Sequence, residues 1–330
     1  MQHDRGDWTT ADLYPPDRLQ IQVTNICNAD CTFCGYQFLE DEKGNLADEH
    51  FYSCIDQYVA MGGRHIDFTP VVGDLLVDKK IFTKLNYATK VKQVPVVRFY
   101  TNGILLSRKT YPQQLLDAAP TEVTFSMPGF ERGLYERVYR NRSYKSLMRG
   151  VSAFMQLNAE AGFPIRVKFA LKPDIPFDEA VYTEDFKSMI EPWLERKDYL
   201  IHVFNLDNWG GALKPEHLTG NMTMVDAIPI EQKTKPCYFT FFLSLMVDGH
   251  VRLCGCRFNN GTEYDELVIG HIDETPLIDL WQGENARRVR EDFTHGKMAS
   301  VCRTCSHYGG YSGKERAEFT IQEFLKQHAT

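Results

Sequence analysis

Three cysteines fall within eight residues of the stretch NICNADCTFC (25–34): Cys27, Cys31 and Cys34. Thiols this close in sequence can converge from one loop on one metal centre. A cubane iron–sulfur cluster has four irons and takes thiolate ligands. Three protein sulfurs therefore leave one iron open to an outside ligand, and an open site is a reactive one. A zinc ion completed by a distant fourth cysteine is the structural alternative, although CxxxCxxC is not a common zinc spacing. A second group lies downstream. Cys237 and Cys254 flank Gly249, and the run CRTC adds Cys302 and Cys305 after 47 intervening residues. A hairpin and a later loop can bring these four thiolates together and close a metal site, which a zinc ribbon or an iron–sulfur cluster would satisfy. Two cysteines remain. Cys54 lies in a helical pattern and reads as a buried core thiol. Cys256 reads as an alternative metal ligand or an inert thiol.

The elements that must position these residues are legible as alternating strands and helices. RLQIQVT (18–24) is a β-branched, alternating run that leads into the triple-cysteine loop. Further strands are expected at 65–70, 94–101, 121–127, 164–171 and 199–206, with helices around 48–61, 78–92, 111–118, 143–160 and 183–190. Within 144–162, Leu147, Val151, Phe154 and Leu157 recur at helical spacing and Gly162 suits a C-cap. Six strands alternating with helices imply a parallel sheet with right-handed crossovers, and such folds place chemistry at the C-terminal strand ends. The pattern changes after 206: residues 207–236 read as a bridging region rich in Gly, Asn and Pro. FTFFLSLMVDGHVRLCGC then predicts a hairpin turning at Asp248–Gly249, followed by a helical stretch over 275–294 and a C-terminal helix near 314–328. The expected division is an N-terminal segment (1–17), a barrel (18–206), the bridge, and a smaller domain over 237–330.

The chain has 330 residues, 43% of them hydrophobic, enough for one large domain and a smaller one. A net charge of −7 argues against a surface built to grip nucleic acid. The start MQHDRGDWTT carries no apolar signal, and the longest apolar run, 238–247, is far short of a membrane span. The expectation is a cytoplasmic protein without nucleic-acid or membrane partners. Nine cysteines, an odd and clustered set, fit metal ligation in a reducing compartment better than disulfides.

CxxxCxxC after a first strand, followed by a βα repeat, resembles the radical S-adenosylmethionine (SAM) superfamily over roughly 18–206. The resemblance implies a partial (β/α)6 TIM-like barrel with a smaller C-terminal hairpin-plus-helix iron–sulfur domain, an α/β fold. It also implies a 4Fe-4S cluster on Cys27, Cys31 and Cys34 whose open iron binds SAM, and a 5′-deoxyadenosyl radical that abstracts hydrogen from substrate. Phe33 matches the family's aromatic beside the adenine. VVGDLLVD (71–78) is similar to the Gly-Gly-Glu loop that holds the SAM amino group, with Val72 for the first Gly and with Gly73 and Asp74 for the rest. Asn102, ending the third strand, would face the cofactor. Ser126 and Arg140, in TFSMPGFERGLYERVYRN (124–141), match the positions that bind ribose and carboxylate, with Arg137 and Arg142 as rivals.

The second cysteine group resembles the SPASM and twitch extensions of the same enzymes: 11 residues separate Cys237 from Gly249 and four separate Gly249 from Cys254. A full SPASM domain has seven cysteines and two clusters. This chain has fewer, which favours one auxiliary 4Fe-4S cluster on Cys237, Cys254, Cys302 and Cys305. In the bridge, Asn205, Asp207, Asn208 and Trp209 are candidate contacts for a hydroxyl-rich substrate. The implied reaction is epimerisation at a carbinol carbon of a sugar, aminocyclitol or nucleoside, with Cys256 as hydrogen-atom donor. The alternatives are dehydrogenation of an alcohol to a ketone through the auxiliary cluster, peptide maturation, and a non-enzymatic metal-binding module. Only 26 residues precede Cys27, fewer than a fused leader-peptide recognition domain needs, which lowers the peptide reading. A flavodoxin or ferredoxin-type protein is the implied electron donor.

Overall fold

The computed structural model describes residues 8–69, 71–189, 191–193, 199–203, 206–255, 265–309 and 319–320. Ten strands form one sheet: β1 Arg18–Ile21, β2 His65–Asp67, β3 Val96–Thr101, β4 Glu122–Met127, β5 Arg166–Leu171, β6 Tyr199–Val203, β7 Phe242–Leu245, β8 His250–Leu253, β9 Val268–His271 and β10 Phe319–Thr320. Their order is β10-β6-β5-β4-β3-β2-β1-β7-β8-β9. The six strands β1 to β6 are parallel and stand in chain order. This is the expected partial (β/α)6 barrel, an open arc rather than a closed ring.

Side-chain alternation divides the arc into two faces. Val97, Phe99, Val123, Phe125, Val167 and Phe169 are buried on the outer face. The helix Tyr144–Glu160 packs there, with Phe154 ring to ring on Phe125 at 5.9 Å. Its buried positions include Leu147, Val151 and Phe154, and Gly162 beyond its end takes φ +80°. The helix Asp48–Ala60 buries Phe51, Cys54, Ile55 and Tyr58 at the same spacing, so Cys54 is a core thiol.

The inner face is polar. At the N-terminal strand ends it carries Asp67 between Arg18 (3.3 Å) and Arg98 (3.1 Å), and Glu122 against Lys168 (3.1 Å). These paired charges fill the floor of the arc, which leaves the C-terminal ends for chemistry. His65 sits beside them. Burial, reinforced by Arg18 and Arg98, pushes its pKa down to about 3. The unfolded chain takes up that proton near pH 6.5. Stability supplied by neutral His65 is therefore complete above about 6.5 and is lost as pH falls toward 3, with a slope of about 1.4 kcal/mol per pH unit. Urea midpoints measured from about pH 7 down to 5.5 should fall less steeply for His65→Gln than for the natural chain; parallel curves would refute this.

The chain returns to the sheet after the bridge. β7 pairs in parallel with β1, and β8 and β9 continue as an antiparallel meander. The hairpin turns at Asp248–Gly249 as the sequence implies, with Gly249 at φ +92°. Two expectations are corrected. The helical stretch over 275–294 is two helices, Leu277–Gln282 and Glu284–Thr294, because Gly283 is extended (φ −71°, ψ 165°). Within the expected C-terminal helix, Phe319–Thr320 is instead a strand antiparallel to β6. An edge strand presents unpaired backbone groups, and this pairing satisfies some of them. The remainder of that expected helix lies outside the described residues.

Candidate active site and second cysteine site

The triple-cysteine loop leaves the C-terminal end of β1 and is held from outside by its backbone. Asn25 donates Nδ2 to the Glu42 carbonyl (2.9 Å) and accepts the Gly44 amide (2.8 Å). The amides of Asp30 and Thr32 donate to the carbonyls of Tyr139 and Val138 (3.2 and 2.9 Å), just past the helix Arg132–Val138. Gln37 donates to the carbonyls of Thr32 and Cys34 (2.9 and 3.1 Å). With the backbone fastened, the three sulfurs are left to face one another. Burial, with the neighbouring acid and thiols adding to it, raises the Cys27 thiol to about 12. Burial likewise raises Cys34 to about 11 and Cys31 well above the ordinary range.

The candidate cofactor residues gather here. Asn102 donates Nδ2 to Asn28 Oδ1 (2.7 Å) and lies 3.8 Å from Cys27 Sγ. Asp74 is buried and accepts from Leu76 N (3.0 Å), Asn102 N (2.7 Å) and Thr101 Oγ1 (2.9 Å), so its carboxylate organises the loop after β2. Gly73 has φ +106°, and an added Cβ would stand 2.6 Å from the Thr24 carbonyl oxygen. Only glycine lets this loop close on the strand that feeds the cysteines. Phe33 is buried edge-on to Tyr139 at 5.9 Å. Ser126 Oγ lies 3.0 Å from Tyr139 Oη. Arg140 is half-exposed and reaches Asp30 at 3.4 Å, whereas its rival Arg137 is committed to Asp174 through two bonds of 2.8 and 2.7 Å.

Sequence reasoning missed Lys172. It follows β5, donates Nζ to Ser126 Oγ (2.9 Å) and stands 5.4 Å from the centre of the Phe33 ring. Its charge opposes the burial effect on Cys31 and Cys34. The available signal was its place at the end of a barrel strand.

The bridge meets both cysteine groups. Trp209 Nε1 donates to the Phe33 carbonyl (2.9 Å). Asn208 donates Nδ2 to the Thr304 carbonyl (2.7 Å) and its Oδ1 accepts the Ser306 amide (3.0 Å). Asp207 accepts the Trp209 amide (2.9 Å), and its charge adds to the raised Cys34 thiol. Asn208 and Trp209 were singled out as substrate contacts. Their polar groups are occupied in joining the two cysteine loops, because a bridge of loops and single 3-10 turns leaves polar groups that the backbone of distant segments must satisfy. Asn205 and Cys256 lie outside the described residues.

Cys237, Cys254, Cys302 and Cys305 all line one hollow of about 390 Å³, open mouth included, with Phe239, Leu267, Phe293 and Val301. Burial and the neighbouring thiols raise Cys237 to about 12 and Cys302 well above the usual range. Cys254 has φ +71°. The buried Arg252 donates to its carbonyl (2.7 Å) and pairs with Asp265 (2.7 Å). Buried Lys233, also unforeseen, donates Nζ to the carbonyls of Cys302 (2.9 Å), Arg303 (3.2 Å) and Cys305 (2.8 Å), pinning the CRTC turn.

These donor sets fit iron–sulfur clusters. None of the eight described cysteines is in a disulfide. Buried thiols that resist ionisation in each other's company become thiolates when a metal supplies positive charge. At the first site, Asn28 Nδ2 and Tyr135 Oη are buried without a hydrogen-bond partner, two donors for an incoming acceptor-rich group.

Comparison with known proteins agrees with the geometry. The SPASM model, described as an iron-sulfur cluster-binding domain, matches residues 237–306. A GTP 3',8-cyclase of Mycobacterium sp. (strain KMS) is 26% identical over 168 residues, 49% of this chain and 46% of the relative. The chain thus matches about half the length of such curated relatives. BtrN, solved in complex with AdoMet and 2-DOIA, shares the fold with a TM-score of 0.55 at 16% identity, over 92% of this chain and 97% of BtrN. Streptococcus suis SuiB, bound to precursor peptide SuiA, gives 0.60 at 12% identity, over 89% of this chain and 72% of SuiB. Among the described residues no helix is long and apolar enough to cross a membrane. With its CxxxCxxC loop at the mouth of a partial barrel, the chain resembles radical SAM enzymes in motif and fold, and its residues 237–306 form a SPASM-type iron–sulfur cluster-binding domain.

Proposed function

We propose that this radical SAM enzyme oxidises a carbinol carbon of a small hydroxylated molecule (a sugar, aminocyclitol or nucleoside) to a carbonyl, with the auxiliary cluster as electron acceptor. The observation that carries this reading is the bridge: Trp209 is bonded to the first cysteine loop and Asn208 to the second. Two consecutive residues thus link the two candidate cluster sites, a closeness that electron transfer needs and a merely structural cluster does not. Bound there, SAM and the two clusters would supply a hydrogen-atom acceptor and a one-electron acceptor, and the hydroxyl proton would be released to solvent. The chain's own residues would position the reactants. Phe33 would lie by the adenine, Gly73, Asp74 and Asn102 would shape the amino-group pocket, and Ser126 and Arg140 would meet ribose and carboxylate. Asp207 remains the bridge's candidate for a substrate hydroxyl. BtrN, solved with the small molecule 2-DOIA over nearly its whole length of match, supports the substrate class, and the relatives named for GTP keep a nucleoside within it. A flavodoxin or ferredoxin-type protein would supply the reducing electron.

Epimerisation with Cys256 as hydrogen-atom donor is the second reading. Gly255, the residue before it, donates its amide to Gln20 Oε1 (3.1 Å) on the polar inner face of β1. Turnover of hydroxylated compounds with SAM and a reductant in heavy water separates the two. Oxidation predicts a carbonyl product, no deuterium at the reacting carbon, and unchanged turnover in Cys256→Ala. An inverted, deuterated product that disappears in Cys256→Ala would replace oxidation by epimerisation.

A further inference from the structure

A third group of metal-ligating side chains lies outside both cysteine sites. His50 is in the first turn of the helix Asp48–Ala60, His271 ends β9, and Asp273 is in the turn that follows. One ligand atom from each lies within 4.8 Å of the others. His50 Nε2 is 2.8 Å and His271 Nδ1 3.8 Å from Asp273 Oδ2. Ligand atoms around a tetrahedral ion, bound at about 2.1 Å each, stand about 3.4 Å apart, and the two separations bracket that value.

The two rings are held differently, and His271 is the one with a backing hydrogen bond. His271 Nε2 lies 3.0 Å from the Asp248 carbonyl, and Nδ1 takes the Asp273 amide at 3.2 Å. The proton therefore sits on Nε2, and the lone pair on Nδ1 is held by the Asp273 backbone amide, which an incoming ion would displace. A backbone carbonyl behind a ligating imidazole orients metal-bound histidines in this way. The buried Nδ1 of His50 has no partner among the described residues, so Asp273 is the polar group that its ring meets. Gly249 completes the cradle: an added Cβ would stand 2.6 Å from His271 Nε2 and 2.9 Å from His50 Cε1. The glycine demanded by the hairpin turn thus also admits both imidazoles. Side-chain exposures of 16% for His50, 20% for His271 and 62% for Asp273 leave the group reachable from solvent.

We propose that His50, His271 and Asp273 form a site for a divalent late first-row metal ion of the zinc class. The ion ties the first barrel helix to the last strand of the cluster-domain meander, with its remaining position left to water. Two imidazoles and a carboxylate suit such ions, whereas calcium and magnesium require mostly oxygen ligands.

The test uses cluster-loaded protein dialysed to equilibrium against zinc chloride, with iron, sulfide and zinc measured together. The natural chain should retain one zinc per chain beyond its iron, and zinc should raise its melting temperature. His271→Ala and Asp273→Asn should keep their iron and bind zinc at least about tenfold more weakly. Asp273→Asn is the decisive variant, because an amide oxygen still accepts from His50 while the anionic ligand is gone. No zinc retained by the natural chain, or equal retention in Asp273→Asn, overturns the site.

Discussion

Replacing Cys27, Cys31 and Cys34 together by alanine will lower iron from about eight to about four atoms per chain and abolish reductive cleavage of SAM. The loop that carries them is fastened mainly through its backbone, by Tyr139, Val138, Gln37 and Trp209, and its sulfurs accept only long bonds, from the Tyr36 amide to Cys34 (3.4 Å) and from Asn102 Nδ2 to Cys27 (3.8 Å). The fold should therefore survive the loss of the ligands. The second hollow is lined by four other cysteines and should keep its cluster. Anaerobic reconstitution with iron and sulfide, followed by iron, sulfide and zinc analysis of both proteins, reads the result. A fall from about four irons to none would leave the first cluster standing and remove the auxiliary one, and with it the proposed electron acceptor. Zinc in place of iron at both sites would return the chain to the structural-metal class.

The mirror-image result is expected from Lys233→Met: loss of the auxiliary cluster, about four irons remaining, and SAM cleavage retained. The Lys233 ammonium is buried and its three hydrogen bonds go to three carbonyls of the turn that presents Cys302 and Cys305. Burial lowers its pKa, opposed by the neighbouring cysteines, which favour the charged form. Methionine preserves much of the stem but offers no donor. Each carbonyl that stays buried without a partner then costs about 1–3 kcal/mol, so the turn should open and its two sulfurs separate from Cys237 and Cys254. Iron content together with SAM cleavage decides the matter. Full iron loading in Lys233→Met would show that the turn holds without its cation, and the loss of both clusters would mean that the two sites are not independent.

Much of this was readable along the chain because it is locally encoded. Alternation and helical spacing marked the six barrel strands and most helices, since an element must present one apolar face to the core wherever it ends up. The cysteine loop was legible for a different reason: three ligands to one centre need only one loop, so their spacing is itself the site. Gly249 announced the hairpin because few residues other than glycine adopt its φ of +92° readily. The tertiary structure alone decided what has no period and no fixed spacing. Asn208 and Trp209 were noticed for their chemistry, yet their partners are 96 and 176 residues away, and no local pattern records which distant backbone a polar group will satisfy. Lys172 and Lys233 carry no mark in the sequence, and folding alone sets one beside Ser126 and buries the other among carbonyls. His50 and Asp273, 223 residues apart, meet because β7 joins the sheet beside β1 and carries β8 and β9 with it. Sequence determined the elements and the one-loop cluster site; long-range pairing of backbone and charge, which only a finished fold specifies, decided which residues stand between and beyond them.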